Sequence, residues 1–229
     1  MSVEVTRQGA VGWVTLHRPE KAHAYDRAHL DALLGGAQTL ARECAVVVFG
    51  STGERAFCGG ADLDAMSGAA PLDALELHSQ RVFTTIARLP VVTLAVVQGP
   101  AVAGGFELAL ACDLRVAGPR ATFSLPETRL GILPSAGGTT RLARLCGVSR
   151  AKAVILGGEV LDADRALAWG VVHRVDADPR AEAGRWAAQV ATRDRAAQAL
   201  AKQALDAEES TAGLARERTI EALLYARKR

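Results

Sequence analysis

Short runs of β-branched residues alternate along the chain with longer stretches in which apolar residues recur every three to four positions. Residues 11–16, 46–49 and 91–97 are apolar at nearly every position and 171–175 carries three valines, which predicts strands buried on both faces, as in a parallel sheet. Residues 114–117 are a further strand. Between them, residues 26–43 place Leu30, Leu33, Leu34, Ala37, Leu40 and Ala41 on one helical face, with Asp26 positioned to cap the first turn. Residues 71–89 form a second helical segment. Strands separated by helices predict an α/β fold. Beyond about Asp178 the strand signal stops. Residues 181–192, 194–208 and 211–226 are rich in Ala, Arg, Glu, Leu and Gln and predict successive helices that need a surface to cover.

The chain has 229 residues, 49% of them hydrophobic, ample for one sizeable core and marginal for two. A net charge of +2 makes no electrostatic case for nucleic acid or an anionic membrane surface as a partner. Cys44, Cys58, Cys112 and Cys146 are far apart and form no CxxC or Cys/His spacing, so neither a disulfide framework nor a zinc site is expected. The first residues carry Glu4 and Arg7 and no apolar run of signal-peptide length. The most apolar region, 91–112, is interrupted by Gln98, Gly99, Pro100, Gly104, Gly105 and Glu107, a poor membrane span. The expectation is an untargeted, soluble, cytoplasmic protein.

Three glycine-bearing stretches carry candidate chemistry. In Ala56-Phe57-Cys58-Gly59-Gly60-Ala61-Asp62-Leu63, paired glycines let main-chain N–H groups approach a ligand, and a following helix would aim its positive end there. The same stretch also fits a plain strand-to-helix turn with Asp62 as a cap. In Gln98-Gly99-Pro100-Ala101-Val102-Ala103-Gly104-Gly105-Phe106-Glu107, a buried strand leads through a turn into an apolar helix opened by Gly104-Gly105. Free N–H groups and the helix dipole would then converge where negative charge could develop. Glu107 falls in the first turn, a place that suits a structural carboxylate as well as a catalytic one. In Phe123-Ser124-Leu125-Pro126-Glu127, followed by residues 131–139, Pro126 fixes the approach to Glu127, and the glycines after Pro134 allow a tight loop and a new helix start. Glu127 is either a surface residue or a carboxyl whose pKa burial raises toward that of a proton donor.

Taken together, these three stretches, in this order and at these separations, resemble the enoyl-CoA hydratase/isomerase (crotonase) superfamily. The opening Val14-Thr15-Leu16-His17-Arg18-Pro19-Glu20-Lys21 is similar to its N-terminal CoA-contacting region. The resemblance covers roughly residues 3–205. It implies a ββα spiral core over residues 1–178 and a shortened C-terminal helical region, 179–229, of the kind that caps the acyl pocket and builds a trimer or a dimer of trimers.

The resemblance also implies roles. Main-chain N–H groups of Gly59 and Gly104 would hold the thioester oxygen. Glu107 would activate water for attack at the β-carbon and Glu127 would deliver a proton to the α-carbon, giving reversible syn hydration of a 2-enoyl-CoA. Arg18, Lys21, Ala22, Ala24, Gly60, Ala61, Asp62 and Leu63 would contact CoA, and Pro134 and Ser135 the acyl pocket. No metal or separate cofactor is implied, CoA being part of the substrate. Other reactions of the superfamily, such as Δ3-Δ2 isomerisation or cleavage of a cyclic acyl-CoA, and a non-catalytic accessory role are the competing expectations. The sequence departs from the family pattern at Asp64, where a lysine is usual, at Ala103 and Ser135, where glycine is usual, and at His23, where asparagine is frequent.

Overall fold

The structure, a computed structural model, describes residues 3–62, 64, 77–206 and 222. Its main sheet has six strands in the order β1-β2-β3-β4-β6-β9. They are β1 (Val3–Gln8), β2 (Val11–Leu16), β3 (Val46–Ser51), β4 (Val92–Val97), β6 (Leu114–Ala117) and β9 (Arg174–Val175). Only β1 runs antiparallel to its neighbour. A smaller sheet joins β5 (Ala101–Val102), β7 (Thr122–Ser124) and β8 (Leu161–Asp162) in the order β5-β7-β8. β4 pairs in parallel with β6 in the large sheet, and β5 with β7 in the small one. Successive units thus give one strand to each sheet before the chain moves on, which is the expected ββα spiral.

The central strands are apolar throughout because both faces are covered. On one face Val14, Leu16, Val47, Phe49, Ala95 and Val97 pack under α1 (Arg27–Glu43) and α2 (His78–Ala87). On the other, Val11, Trp13, Val46, Val48, Leu94, Val96 and Val116 meet Ala183, Ala187 and Val190 of α7 (Pro179–Val190). The first C-terminal helix therefore covers the sheet. Helix α1 buries Leu30, Leu33, Ala37, Leu40 and Ala41, and Asp26 caps it by accepting the His29 N–H. The remaining helices are α3 (Gly104–Ala111), α4 (Gly138–Cys146), α5 (Val148–Ile155), α6 (Ala163–Ala168) and α8 (Arg195–Asp206).

Two expectations change. The strand expected over 171–175 is reduced to Arg174–Val175. Its first residues instead close α6: the N–H groups of Val171 and Val172 donate to Ala166 O behind Gly170, whose φ is +73°, so they are unavailable to a ladder. β1 was absent from the pattern-based reading because all but its first residue is exposed. Of the segment expected over 71–89, only the part from residue 77 is among the described residues, and of the helix expected over 211–226 only residue 222 is.

Candidate active site

The site forms where the three glycine-bearing stretches meet. After β3, residues 57–62 run extended between two other stretches. On one side Phe57 N–H and Cys58 N–H donate to Pro100 O, and Val102 N–H donates to Cys58 O. On the other, Tyr25 N–H donates to Gly60 O at 2.9 Å and Asp62 N–H to Tyr25 O at 2.8 Å. Residues 101–104 then turn into α3, and the two segments approach closely at Gly105, where a Cβ would overlap Cys58 O, and again at Gly60. A Cβ on Gly60 would stand 3.0 Å from Val102 O and 3.2 Å from Gly104 N, and its φ of +91° also favours glycine.

This register corrects one expected donor. Gly59 N–H is engaged with Ala22 O at 2.9 Å and does not face the junction. Two residues on, Ala61 pairs with Tyr25 in a parallel bridge that uses Gly60 O and Asp62 N–H, which turns Ala61 N–H to the opposite side. Among the described residues, neither Ala61 N–H nor Gly104 N–H donates to a protein acceptor. Gly104 opens α3, so its N–H also carries the positive end of the helix dipole. The turn before it is strained: Ala103 has φ +51° and ψ −126°, a region that suits glycine.

Glu107 lies in the first turn of α3 and is 3% exposed. Its Oε1 accepts the N–H groups of Ala136 and Gly138, each at 2.8 Å, so the loop after Pro134 fixes the carboxylate. That loop is fixed in turn by Gln80 of α2, whose Nε2 donates to Ser135 O at 2.6 Å. Pro134 and Ser135 are both buried. Glu127 opens a 3-10 turn, Glu127–Leu130, directly after Pro126, and is 6% exposed. It is a buried carboxyl and not a surface residue.

Tyr25, which the sequence reading did not single out, ties these parts together. Its hydroxyl touches Gly104, where a Cβ would stand 1.9 Å from the oxygen. Burial, followed by the nearby Glu107 charge, pushes the phenol well above its ordinary pKa, and the Glu127 charge acts in the same direction. Both glutamates, from segments 20 residues apart in sequence, therefore act on one hydroxyl at the head of α3. The available signal was a lone tyrosine immediately before the Asp26 cap, but its contact with Gly104 is a tertiary fact.

The remaining expected residues form a charged edge. Arg18 Nη2 meets Asp62 Oδ2 at 2.9 Å, and Lys21 Nζ meets Asp62 Oδ2 at 2.8 Å and Asp64 Oδ2 at 2.9 Å. The hydrogen bond from Lys21 holds the Asp62 carboxyl below its ordinary pKa, and the bond to Asp62 raises the Lys21 ammonium. Both cations are thus already answered by carboxylates. Arg18 also donates to Ala24 O. His23, at φ +57°, accepts the Arg18 N–H on Nδ1 at 3.1 Å, and burial lowers its pKa. Leu63 lies outside the described residues.

A separate cavity of about 690 Å³ lies between the end of α3, β6, α7 and α8, lined among others by Arg115, Arg144, Trp186 and Lys202, and none of the expected site residues borders it. Among the described residues, no cluster of His, Cys, Asp and Glu is arranged to hold a metal ion, and no helix is long and apolar enough to cross a membrane.

Comparison with known proteins gives one consistent answer. Residues 6–228 match the family described as enoyl-CoA hydratase/isomerase. The 2,3-dehydroadipyl-CoA hydratase of Escherichia coli K12 is 37% identical over 228 residues, 97% of this chain and 89% of that protein. A putative enoyl-CoA hydratase/isomerase of Bacillus subtilis is 41% identical over 177 residues, 74% of this chain and 68% of that protein. Among solved structures, an enoyl-CoA hydratase from Mycobacterium avium subsp. paratuberculosis K-10 superposes with a TM-score of 0.89 at 33% identity, covering 97% of this chain and 93% of that one. Sequence match, spiral core and the meeting of three glycine-bearing segments agree: the chain belongs to the enoyl-CoA hydratase/isomerase family.

Proposed function

We propose that the chain is an enoyl-CoA hydratase that adds water reversibly, and syn, across the double bond of a 2-enoyl-CoA. The observation that carries this reading is the presence of two buried carboxyl groups, Glu107 in the first turn of α3 and Glu127 directly after Pro126. In this reading the thioester oxygen accepts hydrogen bonds from Ala61 N–H and Gly104 N–H, two main-chain donors at the junction that find no protein acceptor among the described residues. Such preorganised donors stabilise an enolate-like oxyanion by several kcal/mol because they need no reorientation as charge develops. Glu107, held by Ala136 and Gly138, orients water and takes its proton as the oxygen bonds to the β-carbon. Glu127 gives a proton to the α-carbon. One water is consumed, and the proton passed between the carboxyls restores both. No metal or redox step is needed.

The proposal extends to CoA contacts along residues 22–24 and 60–63, to acyl contacts at Pro134 and Ser135, to a cytoplasmic setting, and to assembly as a trimer or dimer of trimers. It treats residues 1–178 as the catalytic core and 179–229 as its helical cover. Incubation of the purified chain with 2-enoyl-, 3-enoyl- and alicyclic CoA esters, with product identification, tests the reaction. A 3-hydroxyacyl-CoA from the 2-enoyl ester supports it. Turnover of the 3-enoyl or alicyclic ester alone points to isomerisation or ring cleavage, and no turnover of any ester points to an accessory role.

A further inference from the structure

Tyr25 is more constrained than packing requires. Its ring meets Phe83 edge to face at a centroid distance of 5.8 Å, and its main chain is clamped by Gly60 and Asp62. The Ser79 side chain, in the first turn of α2, neighbours the Tyr25 hydroxyl and acts against burial by lowering its pKa. Tyr25 is 5% exposed. A phenylalanine would keep the edge-to-face contact with Phe83 and forgo only the contact of the hydroxyl with Gly104, so the ring alone supplies the packing against α2. It stands at the head of α3, beside a main-chain N–H that the protein leaves without an acceptor among the described residues.

We propose that the Tyr25 hydroxyl is a third hydrogen-bond donor to the thioester oxygen, alongside Ala61 N–H and Gly104 N–H. The inference rests on the hydratase reading and deepens it. An oxygen accepting from Gly104 N–H at about 2.9 Å comes within reach of a hydroxyl that already touches Gly104. Burial, with the charge of Glu107 acting in the same direction, keeps the phenol protonated, so it enters the reaction as a neutral donor. When the phenol turns its proton to the substrate, the Ser79 hydroxyl donates to the phenol oxygen, which strengthens the phenol as a donor. The thioester oxygen gains charge only as the β-carbon is attacked. The third donor therefore acts mainly on turnover and little on ground-state affinity.

The test compares wild type with Tyr25→Phe and Ser79→Ala on two readouts. One is steady-state hydration; the other is the absorbance red shift of a conjugated enoyl thioester, cinnamoyl-CoA, on binding, which reports polarisation of its carbonyl. Tyr25→Phe is expected to lower kcat about 10- to 100-fold with KM within about threefold, and to cut the red shift. Ser79→Ala, which keeps the phenol and both aromatic contacts, is expected to give a smaller change in the same direction on both readouts, and it carries the test should Tyr25→Phe fail to fold. Wild-type kcat and an undiminished red shift in both variants overturn the proposal. A displaced pH profile with the full red shift also overturns it, by assigning the hydroxyl to the carboxylates. Failure of the wild type to hydrate any 2-enoyl thioester defeats the hydratase reading instead, while the red-shift comparison still reports on Tyr25.

Discussion

The Gly60–Gly104 junction and the Arg18–Lys21 edge share one stretch of chain, residues 59–62, yet treat polar groups in opposite ways. At the edge, Arg18 and Lys21 find carboxylates on Asp62 and Asp64, and the pairs form partly in solvent. At the junction, Ala61 N–H and Gly104 N–H find no protein acceptor among the described residues, and the turn that presents them carries strain at Ala103. Side chains at the edge can satisfy one another by rotating. A main-chain donor locked between strands cannot, so an N–H left without an acceptor there is held ready for an incoming one. The chemistry is therefore expected to depend on backbone shape at the junction and only weakly on charge at the edge.

The sharpest way to break this contrast is Gly60→Ala. Its Cβ would stand 3.2 Å from Gly104 N and its φ of +91° is unfavourable for alanine. Loss of one donor's access is expected to reduce kcat by about 100-fold or more, measured by the disappearance of the enoyl absorbance. The converse substitution, Ala103→Gly, relieves φ +51° and is expected to stabilise the fold by about 1 kcal/mol, after the greater freedom of glycine in the unfolded chain is counted. A raised midpoint in urea at unchanged slope would show it.

His23 probes the edge through pH. Burial places its folded-state pKa below the ordinary 6.5, so below that pH the unfolded chain takes up the proton first and stability falls as pH falls. His23→Asn keeps an acceptor for Arg18 N–H and removes the titration. Its stability profile is expected to be flatter than wild type from about pH 6.5 downward, as followed by thermal melts. The smallest effect is expected from Asp64→Asn. That side chain is 88% exposed, and Lys21 retains Asp62, so kcat should stay within about twofold of wild type, as solvated pairs contribute little. A large fall in kcat there would mean that edge charge, and not junction shape, governs turnover.

Much of this architecture was legible in the chain, and the failures have physical causes. Helix α1 and its Asp26 cap follow from a 3.6-residue period, and β2, β3, β4 and β6 follow from apolar runs that only a doubly covered sheet produces. The strands β5, β7 and β8, of two or three residues each, are too short to show a period. The glycine-bearing stretches do meet in the structure, but the atoms they present were not legible. Which N–H faces the pocket depends on strand register, and the bond from Gly59 to Ala22 shifts the available donor to Ala61. Tyr25 was invisible for the same reason, because its partners Ser79, Gly104 and Glu107 lie far along the chain. The carboxylates that Arg18 and Lys21 meet, on Asp62 and Asp64, were likewise not legible, because they lie 41 residues or more further along the chain.

The most direct test of the two-carboxylate reading is Glu127→Gln, assayed for hydration of crotonyl-CoA and, in parallel, for calorimetric binding of a non-reactive acyl-CoA. A fall in kcat of about 1,000-fold, within the range attributed to a general acid, with Kd within about threefold of wild type, is the expected result. Hydration at the wild-type rate would contradict it and remove Glu127 from the chemistry.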